Sequence, residues 1–221
     1  MMKNFLSATC VVAVLALTGC ATSNPVHPSG ICSVDESWMN TARRCGASGT
    51  NYHTFNLPPG ADCQVVEGEF EYSYSRVSSV PEIAQYRAVT GSVTFFFATN
   101  LVDISGLRNL EHVGWLTLRS IPTPDVRALS NLRVVTNALG IGDMQALTSL
   151  EGLERLRSVG GDLQIIGNPQ LTSLRGLESL CSVGGNLQIY DNPLLPQSEV
   201  QALLERITVG GELTLMNPID P

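Results

Sequence analysis

Lysine is almost missing from this 221-residue chain: Lys3 is the only one, and twelve arginines carry the remaining positive charge. Against 20 acidic residues the formal charge is −7. A general nucleic-acid binder needs a basic footprint, so this balance excludes one. Aromatic residues make up 6%, which obliges any core to be aliphatic. Charged residues are also sparse at 15% while hydrophobic ones reach 43%, a composition that excludes disorder along most of the chain. Histidine is scarce too. His27, His53 and His112 are scattered, and the chain has no His-Glu-x-x-His, no paired Cys-x-x-Cys and no Gly-x-Ser-x-Gly. Gly140-Ile-Gly142 lacks the third glycine and the helix of a dinucleotide loop, and reads as two small residues on a strand. Asp143 and Asp191 follow strands where carboxylates could meet, although solvated turn residues are the plainer reading. With no catalytic constellation, metal set or cofactor loop, the expectation is a protein that is not an enzyme.

The longest apolar run, Phe5 to Leu17, is too short for the roughly 20 residues of a membrane-spanning helix. It follows Lys3 and ends in Thr18, Gly19 and Cys20, the layout of a secretory signal over residues 1–19. Leu17-Thr18-Gly19-Cys20 resembles the lipobox of bacterial lipoproteins. That resemblance implies cleavage before Cys20, diacylation of its thiol and acylation of its new amine with palmitate-type chains. Several chains on one residue anchor far more firmly than one, at about 0.8 kcal/mol per buried methylene. Ala21 stands where an aspartate would retain such a protein in the inner membrane, so the resemblance points to the outer membrane of a bacterial envelope. Residues 20–31 then form a lipid-anchored flexible tether. Loss of residues 1–19 removes the one lysine and takes the charge to −8.

Cys10 leaves with the signal, and Cys20 carries the lipid. Cys32, Cys45, Cys63 and Cys181 remain in an oxidising compartment, where disulfides persist. Four cysteines allow three fully paired connectivities, and their spacing does not choose among them.

The remaining sequence repeats itself. Leu147 to Pro169 (LTSLEGLERLRSVGGDLQIIGNP) and Leu171 to Pro193 (LTSLRGLESLCSVGGNLQIYDNP) are offset by 24 residues and largely identical. Alternating apolar pairs begin at Phe70, Val93, Leu116, Leu139, Leu163, Leu187 and Leu213, with spacings of 23, 23, 23, 24, 24 and 26. Alternation of period two, as in Leu163-Gln-Ile165, predicts a short strand with one buried face. Gly160-Gly161, Gly184-Gly185 and Gly210-Gly211 are expected to allow a sharp, left-handed turn into each strand. The Asn-Pro that follows ends the strand, and Asn168 and Asn192 are placed to bond loop backbone rung upon rung. One rung cannot offset the entropy of ordering about two dozen residues by burying about seven aliphatic side chains, so the rungs must stack. The prediction is a mainly β fold, a β-solenoid of about seven rungs with a period of 23–26. Ser33-x-x-Glu36 resembles a capping box, predicting a short cap helix through Met39 to Arg44. Ser198 to Arg206 predicts a second short helix, inside the last repeat.

Leu-x-Ile-x-x-Asn at 163–168 and 187–192 matches the core of a leucine-rich repeat. Cys63-Gln-Val-Val-Glu-Gly-Glu-Phe-Glu-Tyr72 resembles the opening of receptor L domains, the leucine-rich ligand-binding domains of insulin-type and epidermal-growth-factor-type receptors. The resemblance covers roughly Cys45 to Pro218 and implies a right-handed solenoid, with an N-terminal cap at 32–62 and the L-domain-like part at 63–221. It also implies a Cys45–Cys63 disulfide, since a cysteine about eighteen residues upstream pairs with the opening one. Cys32 and Cys181 are then left over. Their pairing would require the N-terminal segment to reach the sixth rung, so Cys181 is expected to be unpaired. The chain has a single such domain and neither cysteine-rich module nor kinase, so receptor signalling does not transfer.

What remains for function is surface. The outward residues of successive strands form columns, one of them Ser73, Phe96, Arg119, Gly142, Ile166, Tyr190 and Met216. Phe96, Arg119, Ile166 and Tyr190, with Trp115 nearby, are the candidate ligand-binding residues, because exposed residues of these kinds dominate interaction hot spots. A covering loop is the plain alternative. The functional expectation is a lipid-anchored envelope protein that binds an envelope or extracellular protein or glycan through its sheet face, without catalysis. The alternative is a structural or assembly component joined through an exposed last rung.

Overall fold

The period-two alternation of the repeats becomes parallel β-structure. The structure, a computed structural model, describes residues 44–46, 64–80 and 83–216, with backbone alone for 44–46 and Met216. The signal segment, Cys20, the tether, Cys32, Cys63 and nearly all of the expected cap lie outside those residues. The strands are β1 (Arg44–Gly46), β2 (Val65–Glu67), β3 (Phe70–Glu71), β4 (Ala88–Phe96), β5 (His112–Arg119), β6 (Val134–Val135) and β7 (Leu139–Gly142). They continue as β8 (Ser158–Val159), β9 (Leu163–Ile166), β10 (Ser182–Val183), β11 (Leu187–Tyr190), β12 (Thr208–Val209) and β13 (Leu213–Met216), with helix α1 (Gln197–Leu204) before β12.

The strands stack as two ladders that share β4 and β5. One runs β1–β2–β4–β5–β6–β8–β10–β12, and the other β3–β4–β5–β7–β9–β11–β13. The second ladder pairs Phe70, Val93, Leu116, Leu139, Leu163, Leu187 and Leu213 in register, as the repeat spacing required. The intervals between these residues are the turns of a parallel solenoid of about six turns. The core is a stack of Leu, Ile and Val, with aromatics at its N-terminal end, where Tyr72 stacks on Phe95 at 5.1 Å.

Two expectations about local structure change. Arg44 is the first residue of strand β1 and not the end of a helix. The paired glycines are also not left-handed, since the glycines with positive φ are Gly68, Gly152, Gly167 and Gly176. Their role is clearance. A Cβ on Gly184 would collide with the Gly160 carbonyl, and one on Gly210 with the Gly184 carbonyl. Backbones that stack this closely leave no room for a side chain.

The asparagine ladder forms as expected. The fully buried Asn168 accepts the Met144 N–H at 3.2 Å, and its amide donates to Asn192 Oδ1 at 3.1 Å. Asn192 in turn donates to the carbonyls of Ile165 and Tyr190, both at 2.9 Å. Helix α1 occupies the extra length of the last repeat. It is tied to the preceding rung by Glu199, which accepts from the Ser173 hydroxyl at 2.8 Å and the Leu174 N–H at 2.9 Å.

Candidate binding face

The outer face of the second ladder carries the sequence-predicted site. Pairing sets Phe96 beside Arg119, Arg119 beside Gly142, Gly142 beside Ile166, and Ile166 beside Tyr190. Four of the five candidate residues therefore share one column, with neighbours about 4.8 Å apart. Trp115 lies on the same face of β5, four residues before Arg119, and is 45% exposed. Phe96, Arg119 and Tyr190 are half-buried. Ile166 and Ser73 are buried and offer a partner little surface.

Arg119 is held in place. Its guanidinium pairs with Asp143 at 3.1 Å. It spreads over Gly142, where a Cβ would come within 3.2 Å of Arg119 Nε. The nearer obstacle to a side chain there is the Ile166 carbonyl at 2.8 Å, so Gly142 gives clearance to the next strand as well as to the cation. One column over, Gln164 donates to Gln188 Oε1 at 2.8 Å, giving the face a polar ladder beside the mixed one. Asp143 and Asp191 do not meet. They stand two rungs apart, roughly 10 Å, with Gly167 between them.

The strongest feature of the face was not among the candidates. Tyr74, Phe97, Ser120, Asp143, Gly167 and Asp191 all have left-handed backbone, with φ between 53° and 71°. They recur once per rung at the strand ends. Each of the first five donates its N–H to the next rung, as Tyr74 does to the Phe96 carbonyl at 2.7 Å and Phe97 to the Arg119 carbonyl at 3.2 Å. Glycine or aspartate suits this conformation, whereas a bulky aromatic there is strained by roughly 1–2 kcal/mol. Two of these positions nevertheless hold aromatics, and the kink swings their rings outward. Tyr74 is 72% exposed and Phe97 41%. Tyr74 stacks on Phe97 at 5.4 Å, Phe96 meets Phe97 edge-on at 4.5 Å, and Tyr74 meets Phe96 at 5.8 Å. The signals were the runs Tyr72-Ser-Tyr74 and Phe95-Phe-Phe97. Strict alternation sends Phe97 inward with Phe95 and hides this cluster.

Cys181, just before β10, is buried and disulfide-bonded, which overturns the expectation of a free thiol. Its partner lies outside the residues whose side chains are described. Away from the face, Ser105 hydrogen bonds and the nearby Arg108 hold the Asp103 carboxyl below the usual carboxylate range. Hydrogen bonding to Glu151, together with the charges of Asp125 and Glu151, raises the Arg127 guanidinium. Among the described residues, no group of three His, Cys, Asp or Glu is placed to hold a metal ion. Also among them, no helix is long and apolar enough to cross a membrane. No family model, curated protein or solved structure matches the chain.

Proposed function

We propose that this chain is a bacterial lipoprotein, anchored to the outer membrane through acylated Cys20. Its receptor-L-domain-like solenoid binds an envelope or extracellular protein or glycan without catalysing a reaction. The observation that carries this reading is the cluster of Tyr74, Phe96 and Phe97. Exposed rings on strained backbone cost stability, and such strain persists where a function uses it. Next to the cluster, in column, stands the oriented Arg119, and Tyr190 lies in the same column four rungs from Phe96, about 19 Å away. Rigid aromatics with an arginine supply contact area at low entropic cost, whether the occupant is a sugar ring or a protein loop.

The deciding experiment measures retention of the protein on isolated envelope glycan and on delipidated envelope protein. Wild type is expected to be retained on one of the two, and Phe96→Ala with Tyr190→Ala to weaken retention at least tenfold at unchanged melting temperature. Equal retention of both proteins would reject the face as the site.

A second reading, association through the last rung, is favoured by Leu213 and Leu215. These continue the buried columns of Leu187 and Ile189, yet both are exposed. Edge strands with exposed apolar side chains invite pairing with another chain. If this reading holds, Leu213→Glu with Leu215→Glu abolishes concentration-dependent oligomers in sedimentation velocity, and a wild type that is monomeric throughout rejects it.

A further inference from the structure

The two ends of the stack differ. At the first, Val66, Phe70 and Tyr72 are buried. At the last, Leu213 is 50% exposed and Leu215 37%, although they continue the buried columns of Leu187 and Ile189. Among the described residues β13 has one neighbour, β11, so its other side is an open strand edge. That edge has a definite pattern. Leu139, Leu163 and Leu187 each donate an N–H to the following rung, to the carbonyls of Asp162, Asn186 and Glu212, all at 2.9 Å. Leu213 occupies the same place in the last rung. Its N–H and carbonyl, and those of Leu215 two residues on, therefore point away from β11.

Another copy of the chain can meet this edge in two ways. Head to tail, β13 would lie one rung from β3 of the next copy, with Leu213 in the column of Phe70. Glu212 would then stand beside the exposed Glu69, two carboxylates on strands about 4.8 Å apart. The leucines would also find no exposed apolar residue there, since Phe70 and Tyr72 are already buried. Tail to tail, β13 runs antiparallel to β13 of the second copy. Centred on Thr214, that pairing sets Leu213 opposite Leu215 and Glu212 opposite the uncharged Met216. It uses the backbone groups that the edge leaves pointing outward. Leu213 and Leu215 form the hydrogen-bonded pairs, and they flank a Thr214–Thr214 pair whose Cα atoms stand about 4.5 Å apart. Facing threonines are a favourable cross-strand pair.

We infer that the chain forms a closed two-fold dimer through β13 of each copy, an inference that rests on reading the last rung as an association surface. The axis is normal to the sheet and passes through the Thr214 pair. The inner side of one ladder then continues into the inner side of the other, and Leu213 and Leu215 of both copies become buried. An isologous contact of this kind occupies both open edges, so assembly stops at two copies and does not grow into a fibre. One strand pair and its leucines make a contact smaller than the roughly 1,200 Å² that stable complexes bury, so the dimer is reversible.

The dimer has a consequence for binding. Rotation about an axis normal to the sheet leaves both outer faces on the same side, so the aromatic clusters of the two copies face one way. Six strand steps separate β3 from β13 in each copy, which sets the two Tyr74 residues about thirteen steps apart, roughly 62 Å. A long or repeating ligand can engage both clusters at once, and is then retained far better than by one face.

Cross-linking reads the register directly, because the Thr214 pair has the Cα separation of a disulfide. Full-length Thr214→Cys, oxidised with glutathione disulfide, should link into dimers at least tenfold faster than Thr117→Cys, which lies in the same outer column at mid-stack. Sedimentation velocity of wild type should show monomer and dimer and nothing larger. Glu212→Lys should change the dimerisation constant less than threefold, because Glu212 faces no charge of the second copy. Species larger than a dimer, strengthened by Glu212→Lys, overturn the two-fold contact and leave the last rung associating head to tail. A dimer in which Thr214→Cys links no faster than Thr117→Cys also overturns it, and Leu213→Glu with Leu215→Glu then decides whether the last rung takes part at all. A wild type that is monomeric throughout, with no excess linking of Thr214→Cys, overturns both the dimer and the reading it rests on.

Discussion

Tyr74 and Phe97 stack at 5.4 Å across adjacent rungs, and both rings are presented from left-handed backbone with φ of 53°. Each residue is strained where it stands, and the ring contact offsets part of that cost. Phe97→Ala removes the contact and keeps the strained conformation, and should lower stability by about 1 kcal/mol. Phe97→Gly removes both and should be the more stable of the two variants. Urea denaturation checks the order, and an alanine variant at least as stable as the glycine one would remove strain from the account.

Asn168 serves two rungs at once, accepting the Met144 N–H and donating to Asn192. Asn168→Ala leaves buried backbone and amide groups without partners, at a cost of about 2–4 kcal/mol. The transition midpoint in urea should fall accordingly. A loss below about 1 kcal/mol would show that water can enter the ladder.

Gly184 and Gly140 are both strand-side glycines, yet they should respond oppositely. A Cβ at Gly184 meets the Gly160 carbonyl, whereas at Gly140 the nearest atom is Gln164 Oε1 at 3.8 Å. Gly184→Ala should cost about 2 kcal/mol or more, and Gly140→Ala should stay within about 0.5 kcal/mol of wild type. Paired melting curves compare them directly.

Asp103 accepts the Ser105 N–H at 2.7 Å, and its carboxyl titrates below the usual range. Because the folded value is lowered, its contribution to stability is present above the ordinary carboxylate pKa and is lost as pH falls through the lowered one. The group is exposed, so the effect on overall stability is small. Carboxyl carbon NMR should give Asp103 a midpoint below the ordinary aspartate value. Ser105→Ala removes the hydroxyl bond, the larger cause, and should raise the midpoint while the backbone bond keeps it below normal.

Much of the fold was legible because a solenoid repeats its own instructions. The register from Phe70 to Leu213 follows from spacing alone, since one buried face per strand forbids a one-residue slip. The same logic placed Phe96, Arg119, Ile166 and Tyr190 in one column, and the asparagines in a ladder. Burial was not legible, because whether Ile166 is open to a partner depends on neighbouring rungs.

By itself the sequence determined the period, the strand cores and the aliphatic interior, all of which are local alternation repeated at fixed intervals. The tertiary structure decided what alternation cannot express. A single left-handed residue at each strand end turned Phe97 outward to join Tyr74. Contact between stacked backbones made the paired glycines a matter of clearance and not of turning. Cys181, which looked solitary along the chain, is buried and disulfide-bonded in the fold.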